Sequence, residues 1–403
     1  MMKYDFTSII DRRGKDAVAV DAIGGFMWGV EPRRAKEGFD EIPMWVADMN
    51  FATAPSVTRA LTERISHPLY GYFAPSEEYY DRIINWQVSR HGYRDLTKRE
   101  IGYENGVHGG IISTINSLTE PGDPVFLHSP SYVGFLGDLK ETGRQAVLSP
   151  LKRDENDVWR MDFEDMDRKL AEKQIHLVIF CSPHNPTGRV WERWEIERAM
   201  DIFKKHDCIV ISDEIWSDIV FSGHEHIPTA MVSEDAKNRT IGLYAPSKTF
   251  NLAGLIGSYH IIFNPILRRK ITVHGNKTHY NDMNVLSMHA LIGAYSKDGA
   301  EWTDELNLVL EGNCRHAVEQ IDRFEGCSAA MPQGTYMVFM NVEEFCKKKG
   351  RTLDDVLKAG WDVGVAYQDG RKFAADWSIR LNTAMPLDRV REAFGRLETY
   401  VFV

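Results

Sequence analysis

The stretch YAPSKTFN at residues 244–251 places one lysine, Lys248, between a serine and a Thr-Phe pair. A hydrophobic run precedes it, and the small-residue stretch Leu252-Ala253-Gly254-Leu255 follows. A lysine held at a buried strand end loses solvation, and desolvation lowers its pKa by disfavouring the charged form. A neutral amine attacks carbonyls, so Schiff-base chemistry is the natural use of such a lysine. A solvated loop lysine is the plain alternative. Three further segments bear on the choice.

In CSPHNPTGRVW (181–191), Pro183 and Pro186 stiffen the backbone around Asn185 and fix where its amide points, although Asn-Pro and Thr-Gly also make ordinary turns. In IVISDE (209–214), Asp213 ends a hydrophobic strand, where a carboxylate is costly unless paired. A cationic ring nitrogen would pair it; a helix cap or a salt bridge is the alternative. In GYENGVHGGI (102–111), Gly106, Gly109 and Gly110 flank a helix start, whose exposed N–H groups bind phosphate. The segment matches neither G-x-G-x-x-G nor the Walker pattern, so no nucleotide is expected. Together these parts suit pyridoxal phosphate. Lys248 would form the Schiff base, Asp213 would pair the pyridinium nitrogen, Asn185 would reach the ring hydroxyl, and the Gly106–Gly109 backbone would hold phosphate.

The elements that must position these groups follow from the hydrophobic rhythm. Short apolar runs at 124–128, 145–150, 177–180, 208–214, 240–245 and 258–263 read as buried strands, with helical stretches such as 191–206 between several of them. Strand–helix alternation with non-alternating, β-branched strands predicts a mostly parallel α/β sheet. Helical patterning is expected over 52–92, a long helix over 300–324 and a short one near 352–359. Strands are expected at 335–342 and 377–384, in a smaller α+β domain. Residues 1–50 read as an irregular arm with a short helix.

Composition narrows the class. The chain has 403 residues, 43% hydrophobic and 26% charged, an ordinary globular balance with room for two or more domains. Net charge is −10, which leaves no basic stripe for a nucleic-acid partner. Lys347-Lys348-Lys349 reads as the solvated end of a helix. No stretch approaches twenty apolar residues, so no membrane partner is expected, and the N-terminus has no signal-like apolar region. Five scattered cysteines fit a reduced cytoplasmic compartment better than a disulfide scaffold or zinc ribbon.

The ordered set GVHGG, PSY, PHNPTG, SDE, SKTFN and RLN resembles the fold-type I pyridoxal phosphate enzymes, aminotransferase class I/II. MWVADMNF (44–51), APSKTFNLAGL (245–255), PQGTYMVFMNV (332–342) and IRLNTAMP (379–386) are similar, more narrowly, to the cystathionine β-lyase-like carbon–sulfur lyases. The resemblance spans nearly the whole chain. It implies a three-layer large domain with a mostly parallel seven-stranded sheet (51–290), an arm and part of the small domain at 1–50, and a small domain at 291–403. It implies that Lys248 is the Schiff-base lysine, Asp213 the pyridinium partner and Asn185 the ring-hydroxyl partner. Tyr132 matches the ring-stacking aromatic, and Val107 and His108, after Gly106, match the phosphate-loop donors. Arg380 matches the arginine that grips the substrate carboxylate. Tyr72 matches the tyrosine that reaches the phosphate from a neighbouring subunit, which implies a homodimer with shared sites.

Three departures stand out. Position 216 is Trp, where relatives carry His or Tyr; its indole N–H can donate but cannot act as acid or base. Ala245 and Ile256 replace a serine and an arginine used for phosphate in classical aminotransferases, so the phosphate is expected to lean on backbone N–H groups, Ser247 and Tyr72. The arm segment with Phe26, Met27 and Trp28 looks long, and either lines the substrate entrance or packs on the core. The implied activity is β-elimination on cystathionine, cysteine or another S-substituted cysteine. The alternatives are an L-amino-acid aminotransferase and, with less support, a catalytically weak regulatory binding protein. His224 and His226 read as a surface loop and His184 as structural, and His274 and His279 are candidates for a position near a dimer contact.

Overall fold

The computed structural model describes residues 2–27 and 29–403, so the expectation for Trp28 lies outside the described residues. Seven strands form the main sheet: β1 (Ile101–Glu104), β2 (Pro124–Ser129), β3 (Gln145–Pro150), β4 (Leu177–Cys181), β5 (Ile209–Asp213), β6 (Thr240–Tyr244) and β7 (Ser258–Ile261). Their order is β1-β7-β6-β5-β4-β2-β3. The pairs from β6 through β3 are parallel, and β7 runs antiparallel to both β1 and β6.

The sheet is apolar on both faces because helices cover both. Side chains alternate along a strand. Ile179 of β4 and Ile211 of β5 therefore point to one face, where they meet Val107, Ile111, Ile115, Phe135 and Leu139. Val178, Phe180 and Val210 point to the other, against Ile196, Ala199, Met200 and Phe203. The helices that supply these faces are α1 (Val107–Leu118), α2 (Val133–Glu141) and α3 (Arg193–Lys205). The expected helical region over 52–92 is two helices, Pro55–Ser66 and Glu77–His91. Pro55 starts the first, and the second is capped by Ser76 and closed by the left-handed Gly92.

The C-terminal part carries the long helix Lys297–Ile321 and a four-stranded antiparallel sheet that includes Met337–Asn341 and Ser378–Asn382. Ile42 and Pro43 pair in parallel with Val365 and Ala366, which brings the N-terminal segment against the C-terminal part. All five cysteines are unbridged, and among the described residues no helix is long and apolar enough to cross a membrane. Lys347, Lys348 and Lys349 do end an exposed helical turn.

Two expectations need correction. β1 was not expected: IGYE has its two strand formers, Ile101 and Tyr103, split by a glycine, and its antiparallel partner lies more than 150 residues away. His226 is not on a surface loop. It is buried, and its Nε2 lies 2.8 Å from Glu214 Oε2. A carboxylate sealed behind the sheet needs such a partner.

Candidate active site

The predicted residues meet where the parallel strands end. β4 ends at Cys181 before the turn that carries Asn185, β5 ends in Asp213, and Lys248 follows β6. Ligands of open α/β sheets bind outside the carboxyl ends of the strands. A cavity of about 220 Å³ opens there, lined by Gly106, Val107, His108, Tyr132, Asn185, Asp213, Trp216, Ser247 and Lys248. Ala245 and Ile256 line it too, as do Ala47, Ala253, Gly257 and Ser258.

Lys248 is held from the N-terminal segment. Its Nζ donates to the Ala47 carbonyl at 2.8 Å, and Tyr336 Oη donates to the same carbonyl at 3.1 Å. The Asn251 amide clamps Met49 in both directions, at 3.0 and 2.9 Å, and Asn382 Nδ2 donates to Val46 O at 2.7 Å. MWVADMNF, SKTFN and RLN are thus one hydrogen-bonded unit around the lysine. Burial pushes the Lys248 pKa down to about 8, offset in part by the Asp48 and Asp213 carboxylates. Its Nζ lies 5.8 Å from the centre of the Trp216 ring, which packs edge-on against Tyr336.

Asp213 is buried, and among the described residues its carboxylate has no ion-pair partner. Its Oδ1 accepts from the Ile215 amide at 3.1 Å. Burial pushes its pKa up to about 6, against the pull of that bond and of the His108 and Lys248 charges. A buried carboxylate in this state calls for a cation. At the opposite side, Gly106 takes φ of 79°, a left-handed value suited to glycine, and starts α1. The first helical bond runs from the Gly110 amide to the Gly106 carbonyl, so the Val107, His108 and Gly109 amides have no helical acceptor. They form an anion cradle. A buried amine, a buried carboxylate with no ion-pair partner among the described residues and a cradle of helix-start amides fit pyridoxal phosphate.

Arg380 stands behind the cavity rather than in its wall. Its Nη1 donates to Asn185 Oδ1 at 3.2 Å, and its Nη2 donates to Trp45 O at 2.8 Å and Gln368 Oε1 at 2.6 Å. Its guanidinium lies 4.6 Å from the centre of the Phe373 ring, and burial lowers its pKa to about 10. The buried Nε has no hydrogen-bond partner among the described residues. An anion beside it would satisfy that donor.

Not every expected residue gathers here. Tyr72 is fully exposed and does not line the cavity, nor do the exposed Phe26 and Met27. His184 is buried beside Asn185 with its Nδ1 2.8 Å from Thr187 Oγ1. Sequence reasoning missed Gln368 and Asp138, which hold Arg380 and His108. Asp138 carried one signal: it sits on the buried stripe of α2, between Phe135 and Leu139.

The sequence model of the family described as aminotransferase class I and II matches residues 42–397. The chain is 31% identical over 362 residues to cystathionine beta-lyase PatB of Bacillus subtilis (strain 168), covering 89% of this chain and 92% of that protein. The crystal structure of the PLP-bound C-S lyase from Staphylococcus hominis superposes with a TM-score of 0.88 at 29% identity, covering 100% of this chain and 99% of that one. Cystalysin from Treponema denticola, whose structure contains pyridoxal 5'-phosphate, superposes with a TM-score of 0.89 at 28% identity, covering 98% of each chain. The protein belongs to the class I and II aminotransferase family of pyridoxal phosphate enzymes, among relatives that include cystathionine β-lyases and carbon–sulfur lyases.

Proposed function

We propose that the protein is a carbon–sulfur β-lyase that converts cystathionine or another S-substituted cysteine to pyruvate, ammonia and a thiol. One observation carries this reading. A single cavity holds a buried amine with pKa near 8 and a buried carboxylate with no ion-pair partner among the described residues, and an anchored guanidinium stands behind it. Pyridoxal phosphate, when bound, supplies the electron sink that makes a Cα–H bond acidic. Asp213 would hold a proton at the ring nitrogen, Asn185 would meet the ring hydroxyl, and the Val107–Gly109 amides with Ser247 would hold the phosphate.

Arg380 would receive the substrate carboxylate, where a planar guanidinium suits a planar anion. The Lys248 amine, its pKa lowered by burial to about 8, would take the proton from Cα. The Cα–H electron pair becomes the Cα=Cβ bond as the Cβ–S bond breaks and the sulfur leaves as thiolate. Lys248 can then return its proton to that sulfur. The released enamine hydrolyses to pyruvate and ammonia. The lyase-named relatives favour elimination, while the family description keeps transamination as the second reading.

The same reading makes the active unit a homodimer. The segment 69–73 exposes Leu69, Tyr70 and Tyr72, with Phe73 partly out, an unusual apolar run for a free surface. A second copy would cover it and bring Tyr72 to the partner's cofactor phosphate. The large domain would span 51–290, with 1–50 and 291–403 forming the arm and small domain.

The test is pyruvate release from L-cystathionine by purified, cofactor-loaded protein with no keto acid added. Sustained pyruvate and ammonia are expected. No pyruvate, with amino transfer to an added keto acid, would overturn elimination in favour of transamination.

A further inference from the structure

The His108 side chain has a setting that the phosphate-cradle role of its backbone does not explain. Its Nδ1 lies 3.0 Å from Asp138 Oδ2, and its Nε2 lies 3.2 Å from the Tyr132 hydroxyl. Asp138 is itself buried on α2. Its carboxylate accepts the Nδ1–H and so fixes the imidazole's tautomer and tilt, which leaves Nε2 to engage Tyr132. The ring sits where Gly134 has no side chain: a Cβ there would lie 1.9 Å from His108 Cε1 and 2.6 Å from Tyr132 Cε1. The space is therefore shaped for this imidazole. Tyr132 is the residue just before α2 and lines the cofactor cavity; its ring packs edge-on against Phe135 of α2, and its hydroxyl is met by His108.

We infer that His108, braced by Asp138 and admitted by Gly134, is a positioning residue that holds the Tyr132 ring over the cofactor cavity. The inference rests on the proposed cofactor site. The hydrogen bond ties the first turn of α1, which cradles phosphate, to the ring that covers the cofactor. The two contacts are then set as one unit rather than independently.

The experiment measures the dissociation constant of pyridoxal phosphate and the circular-dichroism band of the bound cofactor, in wild type, H108A, Y132F, the double variant and G134A. H108A and Y132F should each weaken binding about 5- to 20-fold, the size of one lost buried hydrogen bond. The double variant should be no worse than about 2-fold beyond either single one, because both remove the same bond. G134A favours the helix locally yet displaces His108, so it should reproduce the H108A loss and the altered band. Unchanged affinity and band in H108A, or effects that multiply in the double variant, would overturn the inference. Wild type that fails to bind pyridoxal phosphate would overturn the cofactor site itself, and the inference with it.

Discussion

Asp213 and Glu214 are neighbours at the end of one strand, and their surroundings are opposite. Glu214 points away from the cavity into a closed network. Its oxygens meet Ser212 Oγ at 2.8 Å, the Thr229 amide at 3.0 Å, His226 Nε2 at 2.8 Å and Tyr244 Oη at 2.6 Å. Burial pushes its pKa up, but these partners outweigh it and the net shift is downward. Asp213 has one backbone amide and a pKa raised to about 6. A few residues on, Asp218 repeats the Glu214 pattern, with Trp86 Nε1 and His91 Nε2 each at 2.8 Å. Equal burial thus comes with full pairing on the structural side and missing partners on the cavity side. Unpaired buried charge is tolerated where a ligand completes it.

The contrast can be broken most severely at Lys248. Lys248→Ala should lower turnover by about 10⁴-fold or more, since the proton carrier alone accounts for roughly 10²–10⁴ and the covalent anchor is lost as well. Steady-state pyruvate formation measures this, with an unchanged far-ultraviolet circular-dichroism spectrum as the control for folding.

On the paired side, Glu214→Ala should destabilise the protein by about 3–5 kcal/mol, because His226 and Tyr244 lose a buried acceptor. Denaturant unfolding of the cofactor-free protein reads it. A loss below ~1 kcal/mol would remove the distinction between the two faces.

Asp213→Asn should act in the opposite direction in cofactor-free protein. The folded pKa of about 6 lies above the ordinary 3.8, so the native state binds more protons than the unfolded one between those values. Stability therefore falls as pH rises from about 4 to 6. Above pH 6 the wild type should be less stable than the variant by about 3 kcal/mol, and below pH 4 the two should converge. Parallel unfolding series across that range check the sign. The smallest effect concerns Arg380. Arg380→Lys keeps a charge but loses the planar fork, and should raise KM about 10- to 30-fold with a smaller change in kcat.

Much of the site was legible because each group sits next to punctuation. Asn185 lies between two prolines, Asp213 ends a five-residue strand that opens Ile-Val-Ile, and Lys248 precedes a run of small residues. The other six strands were legible as short apolar runs, five of them largely buried, with the edge strand β3 partly exposed. β1 was not, because Ile-Gly-Tyr-Glu has no such run and its pairing to β7 is long-range. His226 and Gln368 were illegible for a related reason: each completes the hydrogen bonding of a residue on another element, twelve positions away, and nothing local marks it. Asp138 offered only its place on the buried stripe of α2. Phe26 and Met27 were open to two readings, and the structure leaves both exposed and away from the cavity.

The central claim is that the cavity's missing partners are supplied by the cofactor. The direct measurement is the thermal stability at pH 7.5 of wild type and Asp213→Asn, each without and with saturating pyridoxal phosphate. Ligand that binds only the folded state raises stability in proportion to its affinity. Without the cofactor, the Asn variant should be the more stable; with it, the wild type should be, because only its carboxylate pairs the ring nitrogen. The same order in both conditions would contradict the account.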